Sequence, residues 1–84
     1  MTKDEITVWL FARFRELAGA EAISVGVPPA STVAELRRQL ALHWPDAAEL
    51  LAASAVAVNA DYASDDRVVG PADEVALIPP VSGG

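Results

Sequence analysis

The chain ends in Gly83-Gly84, and this end carries the functional group with the clearest chemistry. Glycine has no Cβ, so a glycine pair can enter a narrow channel and let another backbone approach closely. We expect the terminal carboxylate of Gly84 to be the reacting group. A carboxylate becomes an electrophile when it is adenylated with ATP, which would be used by a partner enzyme. Sulfide would then give a thiocarboxylate, whereas a lysine would give an isopeptide.

Side chains offer few other reactive groups. The chain has no cysteine, which excludes disulfides, thiolate metal sites and a cysteine nucleophile. The single histidine, His43, stands near a predicted helix end, where we expect a structural or solvent role. Two acidic pairs, at 65–66 and 73–74, fall in predicted turns, and adjacent acids in turns are usually solvated. We therefore predict no metal site and no bound cofactor.

Composition and charge limit the class of protein and partner. With 84 residues, of which 52% are hydrophobic, residues 1–84 are expected to form a single domain with one core. Six basic against twelve acidic residues give a net charge of −6, which argues against nucleic acid or an anionic membrane surface as partner. The N-terminus lacks the features of a signal peptide, and no apolar run is long enough to span a membrane. We expect a cytoplasmic protein.

The first half of the chain predicts a hairpin followed by a helix. Residues 6–12 and 21–27 alternate and are rich in β-branched residues, which is typical of strands. Thr32 and Glu35 have the spacing of a capping box, so a helix is expected to begin there and to end before Pro45. Its apolar residues recur every three to four positions, and Arg37 and Arg38 are expected to face solvent.

The second half predicts three short strands. Residues 46–52 indicate a second short helix, and 56–58 a strand that ends in a turn at 59–61. Residues 62–69 are expected to form a weak strand or extended segment, and 74–78 the last strand. The last strand can return beside the first through a right-handed crossover. The predicted fold is therefore an α+β β-grasp, or ubiquitin-like, arrangement: a mixed sheet with one main helix across one face.

Alternation also places apolar residues on the face that the helix leaves open. Trp9 and Phe11 of the first strand would lie there with Ala76 and Ile78 of the last strand, bordered by Tyr62. A contiguous exposed apolar patch marks an interface, so we expect this face to bind a protein partner. This patch would lie beside the origin of the tail.

Residues 79–84 are expected to form an extended reactive tail. Pro79 and Pro80 restrict the backbone and favour an extended path, and Val81 and Ser82 lead into the glycine pair. Patch and tail together predict docking of the domain followed by insertion of the tail into an active site.

These residues resemble the small subunits of molybdopterin synthase, the β-grasp sulfur carriers of molybdenum cofactor synthesis. The resemblance covers nearly the whole chain, and its most specific part is the ending Asp73-Glu-Val-Ala-Leu-Ile-Pro-Pro-Val-Ser-Gly-Gly84. Its other marks lie at 6–19, 31–37 and 56–59. In this family Phe11, Tyr62 and Ile78 fall on hydrophobic contact positions, although Tyr62 stands where an aliphatic residue is usual.

The resemblance implies a reaction and an assembly. Gly84 would be adenylated by an enzyme of the ubiquitin-activating type and then thiocarboxylated. The tail would enter the active site of the large subunit, and sulfur would pass to cyclic pyranopterin monophosphate to build the molybdopterin dithiolene. Two carriers would flank a large-subunit dimer in a heterotetramer. The large subunit would supply the catalytic residues, so this chain would be the non-catalytic sulfur donor.

Three other functions remain open at this point. The chain could be a related sulfur carrier for thiamine or cysteine synthesis. It could be a ubiquitin-like protein modifier that forms isopeptides. It could also be an interaction domain whose terminal glycines have no chemical role.

Overall fold

A computed structural model describes residues 3–80 of the chain. Within them, the helices and strands follow one another in the order β1 Asp4–Leu10, α1 Arg13–Ala18, β2 Ala22–Val27, α2 Val33–His43, a 3-10 turn Pro45–Ala47, α3 Ala48–Ala52, β3 Ala55–Val58, β4 Asp61–Tyr62 and β5 Val75–Ile78.

The five strands form one mixed sheet in the order β2-β1-β5-β3-β4. Strands β1 and β5 are parallel, with Leu10 opposite Leu77, and the other neighbouring pairs are antiparallel. The last strand therefore lies in the middle of the sheet beside the first, as predicted. With α2 packed on one face, the fold is a β-grasp, and the predicted fold class is confirmed.

The core lies between the sheet and α2. Strand β1 buries alternate residues, because side chains along a strand point to opposite faces. Helix α2 contributes the stripe Val33, Leu36 and Leu40, all of which are buried. Phe14 of α1 is fully buried, and its ring centre lies 6.0 Å from that of Trp44. The helical and strand periodicities therefore identified the core face of each element correctly.

The ends of α2 agree with the capping prediction in part. The side-chain oxygen of Thr32 accepts a hydrogen bond from the backbone N–H of Glu35 at 3.3 Å. The Glu35 carboxylate does not complete a capping box; it accepts hydrogen bonds from Arg38 and Gln39 instead. These hydrogen bonds, with that of Arg38 the larger cause, hold the pKa of Glu35 below its ordinary value.

Within residues 3–80, no helix is long and apolar enough to cross a membrane.

The expectation that Arg37 faces solvent was wrong. Its guanidinium is half-buried and donates to the backbone carbonyl oxygens of Leu51 at 2.8 Å and Ser54 at 2.7 Å. The last carbonyls of a helix lack intrahelical partners and attract cations, and packing of α2 against α3 brings these carbonyls to Arg37. The Arg37 Nε also lies 3.4 Å from Asp65 Oδ1. Arg37 therefore links α2 to α3, to the connection between α3 and β3, and to the loop after β4.

The segment between β1 and β2 agrees with its prediction in part, and the segment after β3 differs from it. The polar residues at 13–19 predict a loop or a short helical turn, and 13–18 form helix α1, which buried Phe14 anchors to the core. Of the expected strand or extended segment at 62–69, only Tyr62 belongs to a strand, β4, which it forms with Asp61 of the predicted turn at 59–61. Beyond it, one isolated bridge joins Val68 to Thr32, and the backbone N–H of Val33 donates to the carbonyl of Arg67. This segment therefore caps the start of α2.

A two-residue turn joins β3 to β4. Asn59 and Ala60 both have positive φ, at 52° and 72°, as a type I′ turn requires. Asparagine tolerates this region, whereas the Cβ of alanine makes it unfavourable by about 1–2 kcal/mol. The turn therefore includes local strain at Ala60.

We predict that Ala60→Gly stabilises the fold by about 1 kcal/mol, because glycine adopts positive φ without this strain. The melting temperature should rise by roughly 4–8 °C, measured by circular dichroism. Ala34→Gly, at an exposed position of α2 with helical backbone, is the control and should lower stability by up to about 1 kcal/mol. Equal destabilisation by both variants would contradict the assignment of strain to Ala60.

A set of hydrogen bonds around Asp73 closes the loop before β5. One carboxylate oxygen accepts from the Asn59 side-chain amide at 2.9 Å, and the other accepts from the backbone N–H of Gly70 at 2.8 Å. These bonds, with that of Asn59 the larger cause, hold the pKa of Asp73 below its ordinary value. The Asn59 side-chain oxygen also accepts from the backbone N–H of Glu74. The start of β5 is therefore attached to the β3–β4 turn.

The lowered pKa predicts a pH dependence of stability. Because the folded state favours ionised Asp73, its contribution is complete above the unfolded pKa of about 3.9 and is lost as pH falls through the lower folded pKa. Denaturation midpoints should show Asp73→Asn less stable than the natural chain at neutral pH, and the difference should shrink below about pH 4. An NMR titration of the Asp73 carboxyl gives its pKa directly. Parallel stability curves for the two proteins would contradict the prediction.

Candidate functional site

The face of the sheet opposite α2 carries an open apolar groove. It has a volume of about 510 Å³. The side chains that line it, called here the open-face groove, are Trp9, Phe11, Ala57, Ala60, Tyr62, Glu74, Ala76 and Ile78.

Strand register explains why this surface is concave. Trp9 of β1 pairs with Ala76 of β5, Ala76 with Ala57 of β3, and Ala57 with Tyr62 of β4. Paired residues in neighbouring strands share a face, so the four side chains form one row across the sheet. The two alanines make a low floor between two large aromatic walls. With strands about 4.8 Å apart, the walls stand roughly 14 Å apart at their Cα atoms.

Large apolar side chains of the groove are accessible to a partner. Trp9 is 42% exposed, Phe11 45% and Tyr62 77%. The opposite face of the same strands is closed, since Leu10 and Leu77 are buried. The sequence placed Trp9, Phe11, Ala76 and Ile78 together on the open face with Tyr62 at its border, and the structure shows this grouping.

The turn that follows β1 positions Phe11 in the lining of the groove, and Ala12 in this turn has positive φ. The carbonyl of Phe11 accepts from the backbone N–H of Phe14 at 3.1 Å, and Ala12 between them has φ 48° and ψ −118°. Such angles are unfavourable for a residue with a Cβ, and they persist when the surroundings hold them. Here the buried ring of Phe14 and a hydrogen bond from the Glu16 N–H to the Ala12 carbonyl hold the turn. The backbone of Phe11 is thus attached to the core.

The tail begins at the end of the groove. Ile78, the last residue of β5, lines the groove, and Pro79 and Pro80 follow it. Proline has no backbone N–H, so Pro79 cannot donate to the β-sheet hydrogen bonds beyond Ile78. The predicted site residues Val81, Ser82, Gly83 and Gly84 lie outside the described residues. The structure therefore shows where the tail starts.

Charged and titratable side chains outside the groove, within residues 3–80, do not converge on a site. His43 Nδ1 lies 2.9 Å from the carbonyl of Gln39 in the same helix. Arg15 makes a long ion pair of 3.9 Å with Glu21. Within residues 3–80, no group of three or more histidine, cysteine, aspartate or glutamate side chains could hold a metal ion.

Three residues of the groove were missed from the sequence. Ala57 and Ala60 lack the bulk that draws attention to a binding surface, and Glu74 was interpreted as part of a solvated turn. Alternation from Ile78 through Ala76 does place Glu74 on the open face. Ala57 could be added only from the pairing of β3 with β5, which the structure shows. The missing information was which residues of β3 and β5 lie opposite each other.

One face of the sheet thus forms an apolar groove, and the C-terminal segment starts at the edge of this groove. The described part of the chain offers no set of side chains suited to catalysis.

The chain is similar to known proteins over nearly its whole length. Residues 8–84 match the ThiS family. The molybdopterin synthase sulfur carrier subunit of Arabidopsis thaliana is 40% identical over 80 residues, covering 95% of this chain and 83% of that protein. The subunit of the same name from Escherichia coli is 41% identical over 85 residues, covering 94% and 99%. The crystal structure of SAMP1 from Haloferax volcanii superposes with a TM-score of 0.76 at 32% identity, covering 95% and 99%. The chain therefore belongs to the ThiS family.

Proposed function

We propose that this protein is the sulfur carrier subunit of a molybdopterin synthase and acts in the cytoplasm. The observation that carries the proposal is the open-face groove beside the start of the tail. The identity of 40% to the Arabidopsis sulfur carrier subunit and of 41% to that of Escherichia coli supports it. The groove would bind the partner, and the tail would carry the sulfur.

The reaction takes place at the terminal carboxylate of Gly84. An activating enzyme of the ubiquitin-activating type transfers AMP from ATP to this carboxylate and releases pyrophosphate. Sulfide attacks the acyl carbon and displaces AMP, which leaves a thiocarboxylate. In the large subunit the thiocarboxylate sulfur attacks a carbon of cyclic pyranopterin monophosphate, whose oxygen leaves as water. A second water then cleaves the bond between this sulfur and the acyl carbon, which restores the carboxylate of Gly84. The chain itself needs no catalytic side chain for any of these steps.

The groove supplies binding energy and orientation for this transfer. Burial of a large apolar side chain contributes roughly 1.5–3 kcal/mol, and tryptophan and tyrosine are frequent hot spots of protein interfaces. Trp9, Phe11 and Tyr62 provide such side chains on the open face. Because Ile78 belongs to both groove and β5, a partner bound there holds the start of the tail in a fixed place.

A second candidate function is protein modification. It is favoured by the likeness to SAMP1, the small archaeal modifier protein 1 of Haloferax volcanii. In that case a lysine of a target protein would attack the activated Gly84 carboxyl and form an isopeptide. The carrier and modifier functions share the activation step and differ in the nucleophile.

Intact-mass measurement on protein made in its own organism separates these functions. A gain that matches exchange of one oxygen for one sulfur at the C-terminus is expected for the carrier. Deletion of Gly84 should abolish this gain and leave the melting temperature unchanged, because the tail follows the last strand. Leu42→Glu, at an exposed position of α2, is the control and should load sulfur normally. Conjugates to lysines of other proteins, without a sulfur gain, would instead establish the modifier function.

A second test concerns the groove. Ile78→Glu and Tyr62→Glu should each raise the dissociation constant for the large subunit at least about tenfold, because a charge would be buried in an apolar interface. Leu42 is 62% exposed on the opposite side, so Leu42→Glu is the matched control and should bind normally. Calorimetric titration gives the constants, and melting curves confirm the fold. Unchanged affinity in both groove variants would remove the groove from the proposal.

A further inference from the structure

The sheet has one long free edge, which is formed by β2. The strand at the other edge, β4, has only the two residues Asp61–Tyr62. Strand β2 has the six residues Ala22–Val27, and its pairing with β1 runs over its whole length without a bulge. Within residues 3–80, no strand other than β1 pairs with β2. One side of β2 therefore presents backbone groups that no strand binds.

The hydrogen bonds to β1 show which backbone groups these are. Just before β2, the carbonyl of Glu21 accepts from the backbone N–H of Leu10 at 2.9 Å. Along an antiparallel pair, residues that bond the partner strand alternate with residues that point away from it. The odd-numbered residues of β2 thus bond β1, and the even-numbered ones direct their N–H and carbonyl groups outward. These outward residues, called here the edge residues, are Ala22, Ser24 and Gly26.

This edge lacks the features that usually protect a free strand. Natural sheets blunt their edges with short strands, proline, bulges or charged residues on the edge strand. The sequence of β2, Ala-Ile-Ser-Val-Gly-Val, contains no proline and no charge. Glu5 and Lys3 lie 3.2 Å and 3.5 Å from the position of a Gly26 Cβ, hence over the face of β2, and their charges are opposite. An unprotected edge of this length suits the addition of another strand.

Side chains on both faces of β2 leave room for that strand. Ser24 and Gly26 are small, and they belong to the open face because they pair with Thr7 and Glu5. On the helix side, an apolar cavity of about 510 Å³ lies along β2. Its apolar lining, from α1, β2 and the end of α2, comprises Leu17, Ala18, Ile23, Val25, Leu40 and Trp44. A strand added to β2 would place alternate side chains at this cavity.

The edge is complementary to itself. About a two-fold axis through Ser24, the β2 strand of a second copy runs antiparallel, with Ser24 opposite Ser24 and Ala22 opposite Gly26. All of these are edge residues, so each opposite pair exchanges two hydrogen bonds, about six in total. On the helix side, Ile23 lies opposite Val25 of the second copy, which pairs two β-branched side chains. A contact of this symmetry closes with two copies.

We propose that two copies of this chain form a symmetric dimer by antiparallel pairing of their β2 strands, which joins their sheets into one. Interfaces contain about one hydrogen bond per 100–200 Å², so about six bonds correspond to roughly 600–1,200 Å² of buried surface. Interfaces of this size are typical of weak, transient complexes. We therefore expect a dissociation constant of about 10–100 μM.

The dimer contact is separate from the open-face groove. Strand β1 lies between β2 and β5, and the C-terminal segment follows β5. Ala57, Tyr62 and Ala76 of the groove belong to strands beyond β1. Each copy in the dimer thus keeps its own groove accessible. The dimer and the proposed function are independent of each other.

Charged substitutions at Ser24 test the symmetry of the contact. Ser24→Lys places two ammonium groups opposite each other at the axis, and like charges directly opposite destabilise strand pairing. Ser24→Glu does the same with two carboxylates. A mixture of the two variants places opposite charges there and should restore the contact as a heterodimer. Ser24→Ala is the matched control, because it removes the hydroxyl that bonds Glu5 and keeps the outward backbone groups.

A backbone substitution tests the hydrogen bonds themselves. Ser24→Pro removes the outward N–H at the axis and no bond to β1, and proline is tolerated on an edge strand whose N–H faces solvent. This variant should fold and stay monomeric. Melting curves confirm the fold of every variant.

Sedimentation velocity between about 10 μM and about 1 mM gives the dissociation constants. The natural chain and Ser24→Ala should dimerise alike, and each charged variant should raise the dissociation constant at least about tenfold. The equimolar mixture should return to within about threefold of the natural chain. In an NMR dilution series, the amide signals of the edge residues should shift with protein concentration in the natural chain and not in Ser24→Pro.

Restoration of the dimer by the mixture, with neither charged variant dimerising alone, is the result that a symmetric contact at Ser24 requires. A natural chain that is monomeric at about 1 mM would overturn the inference. Dimerisation of the charged variants or of Ser24→Pro at natural strength would overturn it as well, because another surface would then form the contact. If the natural chain is monomeric and Ser24→Pro weakens binding to the large subunit, a strand of that partner covers the edge, and the inference fails while the proposed function stands.

Discussion

The parallel pairing of β1 with β5 is the constraint on which the rest of the structure depends. It places the first and last strands side by side in the middle of the sheet, so both are covered by neighbours on each edge. One face of this pair closes the core through Leu10 and Leu77. The other face carries Trp9 and Ala76, which belong to the groove. The register of β1 against β5 therefore determines which residues enter the core, which line the groove, and in which direction the chain leaves the sheet.

The side chains of this small domain leave the groove on the open face unfilled. An 84-residue chain has little apolar surface to spare, because small domains bury a smaller fraction of their surface than large ones. Large residues at positions 57 and 76 would bury the walls intramolecularly, whereas alanine leaves the walls apart. Positive φ at Ala12 and at Ala60 adds local strain near both walls. The strained residues make the folded state less stable than glycine at the same positions would. The small side chains of Ala57 and Ala76 keep the groove open.

Most of the fold followed from periodicity. Alternation in β1 and β5 identified the two faces of the central strands, and the helical spacing of Leu36 and Leu40 identified the side of α2 that packs on them. Arg37 could not be assigned in this way, because its partners are backbone carbonyls of α3 and of the residue before β3, whose proximity depends on tertiary packing. Glu35 was assigned to a capping box by spacing alone, yet Arg38 and Gln39 compete for the same carboxylate.

The candidate site was predictable to the same extent. Large exposed residues such as Trp9 and Tyr62 signal an interface by their chemistry, so sequence alone could single them out. The alanine floor carries no such signal, and its role appears only when the register of β3 against β5 is known. Side-chain contacts between β1 and β2 were not visible for the same reason: Glu5, Ser24 and Gly26 are far apart in the chain and meet only across this strand pair.

The position of β5 has a mechanical consequence. A partner that grips the tail and pulls along it applies force along the axis of β5, in the direction of the chain. Because β5 is hydrogen-bonded on both sides, to β1 and to β3, the bonds to both neighbours resist together in shear. A strand at the edge of the sheet, pulled sideways, would instead lose its bonds one at a time. The domain can therefore be drawn by its C-terminal segment into a tight channel, and withdrawn from it, without the load being concentrated on any single hydrogen bond.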